Sequence, residues 1–121
     1  ALFGKPMQSP DYGDGYNVHI IESLELSDQD LQRAKKDLGD LHLSELYRVF
    51  PWERGVGPTQ SCGTGACAVA AAILNLGFTV RSSWIAIDMP GGRLYVKQDQ
   101  EDGPVILAGP ASFVFAGTIE I

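Results

Sequence analysis

Hydrophobic and polar positions change period several times along the 121 residues. "YNVHII" at 16–21 is rich in β-branched and aromatic residues and predicts a strand. "SLELSDQDLQRAKKDLGDL" at 23–41 shifts to helical spacing. Ser27 is its expected N-cap, and Asp30, three residues on, makes a variant of the capping box. Leu26 and Leu31 have the spacing of a hydrophobic staple, while Leu31, Ala34 and Leu38 form a narrow apolar stripe. Gly39 suits the left-handed position that ends a helix. The remaining positions are polar, which predicts a surface helix with one packed face. "ELYRVFPW" at 45–52 predicts a second strand.

The next helix has a different character. It is expected from about Gly65 to Leu76, carries no charge on any face, and stops at Gly77. A helix apolar all round predicts burial, and Ala66, Ala68, Ala70, Ala71 and Ala72 would let strands approach closely. "SSWIAIDM" (82–89) and "RLYVKQ" (93–98) flank a turn and predict a hairpin with Gly91 and Gly92 as its loop. "GPVILAG" (103–109) and "SFVFAGTIEI" (112–121) predict two further short strands. Residues 1–15, with Gly4, Pro6, Pro10, Gly13 and Gly15, read as irregular or linker-like. Together these elements predict a single α+β domain over 1–121, long enough for one core.

Charge and cysteine content narrow the function. Fifteen acidic residues against nine basic ones give a formal net charge of −6. That argues against nucleic acid and anionic membrane as partners, since both need a basic face. The longest apolar run, Ala66 to Leu76, is too short to span a bilayer. The two cysteines, Cys62 and Cys67, make no disulfide scaffold and belong to no Cys/His set with metal-ligand spacing. No metal site is expected, and the cytoplasm is the default compartment.

The chemistry concentrates in "ERGVGPTQSCGTGACAVAAAILNLG", residues 53–77. Cys62 sits where a glycine-rich turn becomes the apolar helix. A helix N-terminus leaves backbone N–H groups unpaired and carries partial positive charge. Glycines there let an anion approach the backbone, and the same field favours thiolate over thiol. Gly63, Thr64 and Gly65 therefore describe an anion cradle beside a thiol, with the Thr64 hydroxyl as an added donor. Arg54 is suited to a carboxylate, and Glu53 to an ammonium group or to tuning the thiol. Taken singly, each feature also has a plainer reading: a buried cysteine, a surface ion pair, an ordinary Gly turn. On chemistry alone Cys62 divides evenly between the two. Cys67, one turn into the apolar helix, reads as a core residue.

The combination resembles the diaminopimelate epimerase family. "ERGVGPTQSCGTGACA" is similar to that family's second-cysteine motif, and "MPGGRLYV" and "LAGPASFVFAGTIEI" resemble the hairpin and terminal strand of its C-terminal domain. The resemblance runs from about Tyr47 to Ile121. It implies mostly antiparallel strands wrapped around a buried central helix. It also implies cofactor-independent epimerisation of LL- to meso-diaminopimelate, a step in lysine and peptidoglycan precursor synthesis. One cysteine thiolate removes the α-proton while a second cysteine thiol donates from the other face. Cys62 matches one of the pair; Gly63, Thr64 and Gly65 match the α-carboxylate cradle; Glu53 and Arg54 match the substrate-contacting pair. "NVHII" corresponds either to the family's Asn-Pro-His segment or to a later Asn-Val strand. Asn17 is a substrate contact under both, and His19 an auxiliary base only under the first; otherwise His19 is a half-exposed strand residue. The family enzyme has two similar halves, and the other half's Cys-Gly-Asn-Gly motif does not occur in these residues. Cys67 shares a helix with Cys62 and does not replace that second thiol. The expected partners are an amino-acid substrate and either the N-terminal half of the same enzyme or a second copy of the chain, without which the chain is expected to be inactive. Two other readings stay open: a racemase of another amino acid, and a non-catalytic binding or assembly domain.

Overall fold

Side chains alternate across one mixed sheet, and each face of that sheet carries a helix. The computed structural model describes residues 13–39 and 42–121. The linker-like reading of the first fifteen residues therefore falls largely outside the described residues. The elements run β1 (Val18–Leu24), α1 (Asp28–Leu38), β2 (Leu43–Glu53), β3 (Gly57–Pro58), α2 (Gly63–Asn75), β4 (Trp84–Met89), β5 (Gly92–Gln98) and β6 (Val105–Ala108). The strand order is β1-β2-β4-β5-β6, with β3 pairing only with β2. Every pairing is antiparallel except β2–β4, which is parallel. A parallel neighbour requires a crossover. Here the crossover is residues 54–83, which hold the glycine-rich turn, Cys62 and all of α2.

The period-2 pattern sorts the core into two clusters. Tyr47, Val49, Ile85, Ile87, Met89 and Val96 pack with Ala66, Val69, Ala70, Ile73 and Leu74 of α2. Leu46, Trp84, Ala86 and Tyr95 point the other way and pack with Ala34 of α1. Residues from both edge strands reach the first turn of α2. A Cβ on Gly63 would stand 3.2 Å from Leu107 of β6, and one on Gly65 would stand 2.6 Å from the His19 ring of β1. The outward side of α2 is open: Ala68 and Ala72 are exposed. Uniform apolarity had implied burial all round, but the described strands cover only one side.

The helix ends follow their local chemistry. At α1 the capping box is complete, with Ser27 Oγ accepting from the Asp30 N–H and the Asp30 carboxylate accepting from the Ser27 N–H. The stripe is narrower than its spacing suggested: Ala34 is buried and Leu38 packs on it, but Leu31 is 44% exposed. At α2 the Gly77 N–H bonds to the Leu74 carbonyl and the Phe78 N–H to the Ile73 carbonyl. That pair is a Schellman closure, and Gly77 takes the left-handed φ of 75° it requires.

Two expectations about strands and turns change as well. The β4–β5 loop is Pro90–Gly91, because Met89 pairs with Gly92. Proline pre-sets φ at the first turn position, which moves the loop one residue earlier than the two glycines suggested. Residues 112–121 form no strand. The chain leaves the sheet at Gly109–Pro110, where proline offers no ladder donor, and Phe113 is 86% exposed.

One buried cation ties the layers together. Arg93, 4% exposed, donates to both Asp88 oxygens at 2.6 and 2.8 Å and reaches Asp30 of α1 at 2.9 Å. Donation from the Ser27 hydroxyl and then its backbone N–H, with Arg93 adding to them, holds the Asp30 carboxyl at about 2, below its ordinary 3.8. A depressed carboxyl contributes stability that is complete above its unfolded pKa and is lost as pH falls through the folded one. We expect unfolding free energy to decline from about pH 3.8 to about 2 through this group. Asp30→Asn should flatten that part of the profile. Ser27→Ala should cost about 1 kcal/mol in denaturant unfolding at neutral pH.

Candidate active site

Cys62 is the N-cap of α2. Its backbone is extended, at φ −145° and ψ 101°, so its side chain folds back over the first turn. Sγ accepts from the Gly65 N–H at 3.3 Å, the role a serine or aspartate oxygen usually plays. The helix thus begins at Gly63, two residues before the sequence expectation, with the thiol as its cap. The thiol is 8% exposed and lies 3.6 Å from Thr64 Oγ1.

This cap divides the glycine-turn amides into two kinds. The Gly65 N–H is committed to Cys62 Sγ. The Gly63 and Thr64 N–H groups hold no acceptor among the described residues and sit in the positive field of the helix end. Both glycines also sit under neighbouring side chains, Gly65 the more tightly. Leu107 closes over Gly63, and the Cε1–Nε2 edge of His19 closes over Gly65. The point 2.6 Å from the His19 ring is also 3.0 Å from Cys62 Sγ, so thiol and imidazole flank one glycine. Burial pushes the His19 pKa down and favours the neutral ring, against an opposing upward pull from the Glu53 carboxylate. Its Nδ1 is buried with no partner among the described residues.

Asn17, Glu53 and Arg54 form the rim. Asn17 Oδ1 accepts the Arg54 backbone N–H at 2.7 Å, which ties the start of β1 to the turn after β2. Glu53 Oε1 accepts from Thr59 Oγ1 at 2.7 Å, fastening the loop that leads to Cys62. The Arg54 guanidinium is exposed and makes no ion pair among the described residues. It opens on a cleft of about 420 Å³ shared with Asp14, Trp52, Gly55, Val56 and Gly57. A larger apolar groove, lined by Ile21, Tyr47, Ala72, Leu76 and Phe78, lies at the far end of α2, about 15–20 Å of helix from the thiol. Cys67 packs against the α2 core, and burial, then the nearby Cys62, pushes its thiol pKa up. Among the described residues no His/Cys/Asp/Glu group is arranged to hold a metal ion, and no helix is long and apolar enough to cross a membrane.

The sequence reading missed the support beneath the thiol. Met89 Sδ accepts the Cys62 N–H at 3.2 Å, and the Gly91 N–H bonds to the Gln60 carbonyl at 2.6 Å. "MPGG" read only as a turn; no pattern in the sequence joins it to "QSC" across 27 residues.

The profile of the family described as diaminopimelate epimerase matches residues 8–114. Diaminopimelate epimerase of Pseudomonas syringae pv. tomato is 41% identical over 90 residues, covering 73% of this chain and 32% of that protein. The enzyme of Erythrobacter litoralis is 39% identical over 89 residues, covering 74% and 32%. That of Prochlorococcus marinus strain NATL1A is 37% identical over 105 residues, covering 87% and 30%. The chain spans about a third of the length of these curated relatives.

Two substitutions probe this geometry. Cys62→Ser places a preferred cap at the same position and should hold or raise stability by up to about 1 kcal/mol in denaturant unfolding. Gly65→Ala drives a methyl into the His19 ring and should cost about 1–3 kcal/mol, despite alanine's better helix propensity.

Proposed function

The chain belongs to the diaminopimelate epimerase family, and on that premise we propose that it supplies one of the two proton-transfer thiols of a cofactor-independent amino-acid epimerase. The observation that carries this reading is Cys62 itself, a cysteine capping α2 with the Gly65 N–H on its sulfur. Stability alone favours serine there; proton abstraction needs a thiolate.

The residues divide the work. The substrate's α-carboxylate meets the Gly63 and Thr64 amides, with the Thr64 hydroxyl beside them. Gly65 keeps the backbone bare enough for His19 and the thiol to stand close, and its own N–H stabilises the sulfur. Cys62 thiolate takes the α-proton, and the electron pair left on carbon is stabilised by the helix N-terminus. A second thiol on the opposite face returns a proton, which inverts the centre. His19, as a neutral imidazole, is the auxiliary base that relays the Cys62 proton. Asn17 and Glu53 hold the rim loop, and Arg54 offers its guanidinium to the distal carboxylate. Diaminopimelate, with an amino acid at each end, suits a rim carrying both Glu53 and Arg54.

The second thiol comes from outside these residues. Cys67 lies five residues along the same helix, against the core. The N-terminal half of the same enzyme fits the requirement, and it would close strands round the open flank of α2 at Thr64, Ala68 and Ala72. In this reading residues 1–121 are a single domain that is inactive alone, serving lysine and peptidoglycan precursor synthesis.

The test joins the chain to an N-terminal half bearing the Cys-Gly-Asn-Gly motif and follows α-proton exchange from LL-diaminopimelate into deuterated water. We expect exchange with inversion, and its loss by several orders of magnitude in Cys62→Ser. Exchange with a different amino acid only would move the substrate assignment. No exchange with any amino acid would favour a binding or assembly role.

A further inference from the structure

The Cys62 backbone is held by a thioether, and we propose that Met89 is a positioning residue for the reactive thiol; this rests on the reading of Cys62 as the proton-transfer group. Three consecutive residues before α2 are gripped by the tip of the β4–β5 hairpin. The Gln60 carbonyl accepts the Gly91 N–H at 2.6 Å. Ser61 Oγ approaches Met89 Sδ at 3.8 Å, and the Cys62 N–H donates to the same sulfur at 3.2 Å. The fit is tight: a Cβ on Gly91 would stand 2.9 Å from the Gln60 carbonyl oxygen, a backbone atom with little room to yield. Met89 is buried in the α2 cluster, so its sulfur cannot be exchanged for water as an acceptor without opening the core.

The grip has a second end. Asp88 and Arg93, neighbours of Met89 and Gly92 in the ladder, point to the opposite face of the sheet. There Arg93 bridges Asp88 to Asp30 of α1. The hairpin is therefore clamped to α1 on one face while it holds Cys62 on the other. The consequence for the thiol is conformational. Cys62 Sγ reaches the Gly65 N–H only while the residue keeps its extended cap geometry, and the bond from its own N–H to Met89 fixes that geometry. Sulfur is a weak, polarisable acceptor that also fills core space, so one side chain performs both roles.

The experiment separates sulfur from shape. In a Met7→Leu background, where Met89 is the sole methionine, the chain is prepared with selenomethionine or with norleucine at position 89. Both keep the length of the side chain, and only selenomethionine keeps an acceptor. Hydrogen exchange at the Cys62 amide and iodoacetamide alkylation of Cys62 and Cys67 are followed across pH. With norleucine we expect faster exchange at the Cys62 amide. Alkylation of Cys62 near neutrality should slow roughly three- to tenfold, the scale of one net hydrogen bond. Cys67 should be unchanged, and selenomethionine should match methionine. Equal Cys62 behaviour in the two preparations would overturn the proposal, as would equal loosening at Cys62 and Cys67. If Cys62 alkylates no faster than Cys67 even with methionine, the epimerase reading of the thiol fails instead, while the amide exchange still decides the clamp.

Discussion

A guanidinium that is almost wholly out of water must keep its carboxylates, and that requirement organises this domain. Arg93 has only 4% of its surface exposed; its Nε and Nη2 are paired with Asp88 on the neighbouring strand and Asp30 on α1, while Nη1 is buried without a partner among the described residues. Removing either partner leaves a buried charge short of compensation. The pairing fixes how α1 lies across the sheet and how β4 and β5 meet at their turn. Because successive strand residues face opposite ways, the position next to Asp88 looks toward α2. An ion pair on one face thereby sets the ground on which the cysteine of the other face is held.

The site combines demands that usually oppose one another. A helix N-terminus needs an acceptor for its orphan amides, and a reactive sulfur needs donors. One bond from Gly65 to Cys62 answers both. The neighbouring amides of Gly63 and Thr64 hold no acceptor among the described residues. The absence of side chains at 63 and 65 lets Leu107 and His19 close on the turn from either edge strand. The glycines serve close approach rather than unusual torsion, since neither takes a positive φ.

Much of this was legible in the sequence because the signals are local. The capping box at Ser27–Asp30, the stop at Gly77 and the strand at 45–52 each depend on residues a few positions apart, and each is found where the pattern puts it. The thiol at the mouth of a helix was legible for the same reason. What was not legible depends on pairing across distance. Nothing near Phe113 says that a β-branched, aromatic run will find no partner strand after Pro110. Nothing near Met89 says that its sulfur will meet the Cys62 amide. The even apolarity of α2 misled for a related reason: it records every surface the helix meets, and the described strands account for only one of them.

The parallel pairing of β2 with β4 carries a kinetic consequence. The turn after Glu53, the thiol and α2 all lie on the crossover, residues 54–83, between those two strands. Local propensity can start α2, but the first turn becomes a site only after His19 and Leu107 arrive from opposite ends of the chain. Contacts so distant in sequence are made late, once a long loop has been closed. The surroundings of Cys62 are therefore complete only once both of these long-range pairings have formed. Until then the nascent chain carries Cys62 without those neighbours, and an excised peptide spanning the motif would carry it without them too.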